Sequence, residues 1–266
     1  MKPLLMFLLL LLLTGTSVFA PANAQTTSGR IMYEGTRRID PNSMRVVING
    51  QEIKPGSPDF PSDIPDVRSF AMTLSFANGY AKEEREGGAV MRTMVSSSGA
   101  APQVTNIGRP FEEAVYLNLN ERATSTVLTL KKDNATTVYR ADAPMAKQPT
   151  GWQTTEQTKK IAGYTCRKAT VPYQKETYTV WYTTELPFTY SPIRDLTPEK
   201  GVVLAIEGSK EQFRANKVEL KPVKDADVRP SEQAKTVTAE ELKDLRDKAS
   251  ADFRQRMMDE VGTRAN

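Results

Sequence analysis

Residues 159–188, KKIAGYTCRKATVPYQKETYTVWYTTELPF, alternate as a pleated strand requires. Tyr178, Val180 and Tyr182 fall on one side of the chain, and Thr179, Trp181 and Thr183 on the other. A period of two argues for sheet over helix, and it recurs along the chain. Phe70, Met72, Leu74 and Phe76 interleave with Ala71, Thr73 and Ser75 and run into the turn signal Asn78-Gly79. Val115, Leu117 and Leu119 repeat the pattern, and residues 124–130 and 136–140 flank the turn residues 131–134 as a hairpin. Residues 30–36 read as an opening strand, and 202–206 and 217–221 as closing ones. Many short strands joined by turns predict a mainly β domain with a largely antiparallel sheet. Residues 49–67, dense in Pro, Gly, Asp and Ser, read as a long surface loop or a β-edge excursion, and residues 87–102 as a mobile connection.

The two ends of the chain differ from its middle. One lysine, a leucine-rich run at residues 4–13 and the small-residue exit Ala22-Asn23-Ala24 have the layout of a secretory signal peptide, with cleavage near Ala24. The expectation is a periplasmic or secreted protein, with residues 1–24 as leader and residues 25–221 as the β domain. The apolar run is shorter than the roughly 20 residues a membrane span needs, and no later segment approaches that length. No cysteine stands at the cleavage site to carry a lipid. Residues 222–237 read as a charged linker and residues 238–262 as a C-terminal helix, opened by the capping box from Thr238 to Glu241. Leu242, Leu245, Ala249, Phe253 and Met257 share one face of that helix. Packing onto the sheet is the simpler use of such a stripe, and binding a partner is the alternative.

Composition narrows the chemistry. Histidine is absent, which removes the commonest general base and metal ligand and with them the Ser-His-Asp and Cys-His mechanisms. No cofactor is implied. A net charge of +4, with both signs interspersed, does not point to nucleic acid. The single cysteine, Cys166, allows no internal disulfide, so the domain rests on its packing. Without a histidine to activate it, Cys166 reads as a small buried residue of its strand rather than a nucleophile.

The order Trp152, then residues 160–169 (KIAGYTCRKA), then residues 180–187 (VWYTTELP), then Ser191-Pro192, resembles the signature of the GLPGLI family of exported Bacteroidetes proteins. The motif positions on this chain are Gly163, Cys166, Ala169, Glu185, Pro187 and Pro192. Residues 31–34 and the strand around Leu74 match that family's first strands, so the resemblance spans about residues 31–220. The hexapeptide that names the family stands here only in degenerate form, within residues 196–204. The family is also similar to the N-terminal bowl-shaped domain of type II bacterial peptide-N-glycosidase. That similarity implies a curved antiparallel sheet, a half-barrel or bowl-like meander, with one concave face and no catalytic residue carried over.

These readings favour a non-enzymatic exported protein that binds an envelope protein, a glycan or a lipid on its curved sheet. Candidate binding residues are Trp152, Tyr164, Trp181 and Tyr182. An accessory module in glycan processing is the alternative, and it calls for Trp152 or Trp181 to be exposed as an aromatic platform on the concave face. A carboxylate-dependent hydrolase is the third reading. It needs two acidic side chains converging in one pocket, and Glu185 has no partner that the sequence can place beside it.

Overall fold

The structure, a computed structural model, describes residues 28–40, 46–48, 51–60, 66–86, 91–95, 103–107, 110–132, 135–145 and 150–264 of the 266-residue chain. The expected leader, residues 1–24, lies outside the described residues. The strands in chain order are β1 (Gly29–Arg38), β2 (Val46–Ile48), β3 (Gln51–Ile53), β4 (Val67–Ala77), β5 (Tyr80–Arg85), β6 (Met91–Val95), β7 (Gln103–Ile107) and β8 (Phe111–Asn118). After these come β9 (Ala123–Lys132), β10 (Ala135–Pro144), β11 (Gln153–Ile161), β12 (Tyr164–Tyr173), β13 (Glu176–Thr183), β14 (Val202–Glu207) and β15 (Glu211–Glu219). The tail adds the short helix α1 (Asp225–Val228), the two-residue strand β16 (Lys235–Thr236) and the long helix α2 (Ala239–Arg264).

Twelve strands form one open curved sheet in the order β11-β12-β13-β14-β15-β1-β4-β5-β8-β9-β10-β16. Every pairing along it is antiparallel except the last, where β16 lies parallel to β10, so the sheet is mixed. Register breaks at Met32/Tyr33, Thr154/Thr158 and Trp181/Tyr182 put extra residues into one strand of a pair, the irregularity that bends a sheet. β2–β3 and β6–β7 are separate hairpins inserted after β1 and β5. The segment expected to be irregular at residues 87–102 therefore carries a strand.

One sheet face holds the core. Register places Tyr33 opposite Met72, Leu74 opposite Glu83, Ala81 opposite Leu117, and Val180 opposite both Ala169 and Ile206, all on that face. Two pieces of chain cover it. Residues 184–201, which include a 3-10 turn at Arg194–Leu196, lay Leu186, Tyr190 and Leu196 into the main cluster, with Phe188 stacked on Phe76 at 4.6 Å between centroids. At the other end, α2 buries Leu242 against Leu128 and Ala141, with Leu245, Phe111 and Tyr139 around them. Thr238 and Glu241 cap each other's amides at 3.1 and 2.7 Å, which starts α2 where the sequence signal stands. Arg246 then grips Glu113 through two contacts of 2.9 and 3.0 Å. The short helix α1 packs against β4 and β5, where Val228 is buried and the Arg229 guanidinium lies 3.5 Å from the Tyr80 ring centroid. No helix of the described residues is long and apolar enough to cross a membrane.

Candidate functional site

A concave sheet face open to a ligand was the expectation, and the core face does not provide it, because residues 184–201 fill it. That segment is fastened by a buried charge. Glu83, on an inward position of β5 and 4% exposed at its side chain, accepts hydrogen bonds from the Tyr190 hydroxyl and, at 2.7 Å, from Arg194 Nη1. Arg194 also donates to the Ser191 carbonyl at 3.0 Å, and the Tyr33 hydroxyl donates to the Val203 carbonyl at 2.8 Å. Burial and the Glu83 charge push the Tyr33 and Tyr190 phenols well above their ordinary range. This cluster is an internal brace between β5 and residues 190–194.

The four candidate aromatics all belong to the main core or pack against it. Trp152 and Tyr182 come together edge to face at 6.2 Å beside the edge strand β11, both partly buried against the main core, and Tyr164 packs against the same core. Trp181 is buried within that same cluster and offers no stacking surface, being 9% exposed. The Lys159 ammonium lies 3.9 Å from its ring centroid and pairs with Glu207 at 2.9 Å, while the indole N–H donates to the same Glu207 at 3.1 Å. Lysine stems cover an aromatic in this way readily, because the methylenes bury and the charge stays wet. The expected exposed platform is therefore not Trp181.

The family-motif residues serve the architecture. Gly163 takes φ +91° in the two-residue turn joining β11 to β12, where a side chain would be strained. Cys166 and Ala169 are buried on β12, and burial pushes the Cys166 thiol up to about 11. Glu185 accepts from the Thr165 amide at 2.9 Å, tying the start of residues 184–201 to β12. Pro187 is exposed, whereas Pro192 is buried and its carbonyl accepts from Arg85 at 3.4 Å.

The surface where polar chemistry gathers is the β12–β13 turn, which sequence reasoning passed over. An open recess of about 370 Å³ is lined by Pro172, Tyr173, Gln174, Lys175, Glu176 and Thr177. The Tyr173 hydroxyl donates to Asp195 at 2.5 Å and accepts from Gln174 Nε2 at 2.6 Å. Tyr178 stands 5.9 Å from Tyr173 between centroids, its ring lying against Gly208, where a Cβ would come within 2.2 Å of it. Ser209 donates to Glu176, and hydrogen bonds from Ser209 and Tyr178 hold the Glu176 carboxyl below its usual range. The hydrogen bond to Asp195 comes first in raising the Tyr173 phenol, and burial comes first for Tyr178. The charge of Glu211 bears on both rings. Glu176 is thus an anionic acceptor at neutral pH. The available signal was the hairpin itself, since residues 172–177 carry tyrosine, glutamine and glutamate around a turn without glycine.

A 12-stranded open curved β-sheet, covered on one face by its own loop and helix, is the class of domain that the structure defines. The family model for the N-glycanase peptide, N-terminal domain (PNGase F-II N-terminal domain) matches residues 89–247, and the chain belongs to that family. Among solved structures, PNGF-II in a C2 crystal form is similar over 84% of this chain at 16% identity, with a TM-score of 0.50. PNGF-II in a P21 crystal form is similar over the same share at 16% identity and a TM-score of 0.49. At that identity the likeness is one of fold. This chain spans 33% and 34% of the lengths of those two chains, about a third of each. No curated protein matches the chain.

Proposed function

We propose that this chain is an exported, non-catalytic carbohydrate-binding module that works beside glycan-processing enzymes in the periplasm or outside the cell. The observation that carries the reading is family membership, because the matched family is the N-terminal domain of an N-glycanase. Two features support it. The polar, tyrosine-bearing recess at residues 172–177 suits a neutral hydroxylated ligand. The filled core face disfavours a lipid carrier, which would need an open apolar cavity there. The GLPGLI-like motif residues and the leader-like N-terminus are consistent with a bacterial export product of that family.

A pull-down from a defined mixture tests this reading. Immobilised chain is incubated with a high-mannose glycopeptide and with the same peptide lacking its glycan, and both bound and free fractions are weighed by mass spectrometry. Retention of the intact glycopeptide alone is expected. Release of free glycan would make the chain an enzyme, and equal behaviour of both peptides would overturn the glycan reading.

A further inference from the structure

The open sheet ends differently at its two edges. At one, β16 pairs with β10 and α2 packs on β10 and β9, so that edge is covered. At the other, β11 is outermost, and among the described residues no strand pairs with its free side. An uncovered strand offers a row of unpaired amides and carbonyls to another strand. Which of them face outward follows from the hairpin. β11 joins β12 through the two-residue turn Ala162-Gly163, so Ile161 and Tyr164 on either side of it exchange hydrogen bonds. Alternation then gives the backbone groups of Lys159 to β12 as well, and turns those of Thr158 and Lys160 to the free side.

The side chains along this edge are sorted by position. Thr154, Glu156, Thr158 and Lys160 alternate along one side of the strand and all four are exposed, whereas Thr155 and Lys159 on the other side are half-buried. Lys159 is engaged with Glu207 and the Trp181 ring. Glu156 and Lys160 make no ion pair among the described residues. They cannot pair with each other, since four positions of extended strand part them by about 13 Å. The lysines and the register break between Thr154 and Thr158 discourage indiscriminate pairing, so a partner strand has to match the charges of this edge.

We propose that the occupant of this edge is a second copy of the chain, its β11 lying antiparallel about a two-fold axis perpendicular to the sheet at Thr158. Continuing a sheet across such an axis requires the axis to fall on a residue, because only then do both strands keep the same side chains on the same face. The choices are few. An axis at Glu156, Lys159 or Lys160 sets a charge opposite its own copy, and an axis at Gln157 sets Glu156 and Lys160 opposite threonines. The axis at Thr158 sets Glu156 of each copy opposite Lys160 of the other, twice by symmetry. It also brings the outward backbone groups of the two Thr158 residues face to face. Two twelve-stranded sheets thereby become one. The contact is short for an interface, so association is weak, concentration-dependent and stronger at low salt. This pairing requires no ligand and stands apart from the carbohydrate reading.

Sedimentation equilibrium of the purified protein at low salt, from micromolar to millimolar concentration, tests the pairing. A monomer–dimer equilibrium is expected. Glu156→Lys and Lys160→Glu each set like charges opposite one another at two places, and each should weaken self-association at least about tenfold. An equimolar mixture of the two variants should associate, because every lysine at these positions in one then faces a glutamate in the other. Both positions are exposed, so neither substitution removes a packing contact, and circular dichroism checks that the fold persists. A wild type that stays monomeric throughout would overturn the proposal. So would dimers that both single variants leave intact, or a mixture that associates no better than either variant alone.

Discussion

Arg194→Leu is the sharpest perturbation of the brace that seats residues 184–201. It leaves Glu83, 4% exposed, with the Tyr190 hydroxyl as its remaining partner. Removing one member of a buried ion pair costs about 3–5 kcal/mol, because the other charge stays buried without compensation. Arg194 itself is 21% exposed, so water can enter its place and the low end applies, about 3 kcal/mol. With a urea m-value of about 3 kcal/mol/M for a chain of this size, the unfolding midpoint should fall by about 1 M, read by tryptophan fluorescence. The double variant Glu83→Leu/Arg194→Leu removes both charges. Register sets position 83 opposite Leu74 and Val115, where a leucine is at home. What remains is the unpaired Tyr190 hydroxyl, a cost of about 1–3 kcal/mol. The double variant should therefore be more stable than the Arg194→Leu single. A midpoint shift below about 0.3 M for the single, or a double less stable than the single, would refute the claim that a buried carboxylate is being compensated.

Alkaline titration should find Tyr33 and Tyr190 silent until the fold is lost. Their folded phenols are pushed up by burial, so the neutral forms stabilise the native state below about pH 10, and that stability drains as pH rises past the unfolded value. Phenolate absorbance should rise in two phases, the second coinciding with unfolding by circular dichroism, and a single smooth phase would contradict this. Leu242→Ala should cost about 2–3 kcal/mol, at the low end for a buried leucine because its cluster is a small satellite. Proteolysis within residues 222–237 should quicken accordingly, and unchanged cleavage would mean that α2 does not hold by Leu242. Lys159→Ala uncovers Trp181, so its emission should shift to the red with a stability loss of about 1 kcal/mol or less, and unmoved emission would count against the stacked lysine.

Family and fold carry consequences of unequal reach. Membership in the N-glycanase N-terminal domain family ties the chain to a domain found within a longer protein, and this chain spans about a third of the PNGF-II chains.

Much of this was legible one residue at a time. The alternation at residues 70–76 and 178–183 made sheet the only economical reading, and Asn78-Gly79 marked the β4–β5 hairpin where it stands. Thr238 and Glu241 announced the start of α2. These signals are local, since a pleat, a tight turn and a cap depend on neighbours within a few positions. β5 and β11 escaped notice because their residues are largely charged or polar, a strand pattern that burial alone would not require. The insertion of β1 between β15 and β4, and the laying of residues 184–201 across the core face, depend on contacts between residues more than a hundred positions apart. The same distance explains why Glu83 resembled any surface glutamate, and why Trp181 promised a platform that Lys159 covers. Sequence alone determined the compositional limits and the kind of element each segment forms. Only the tertiary structure decided which face was covered, which charge was buried, and that Tyr173 and Asp195, parted by 22 positions, would meet.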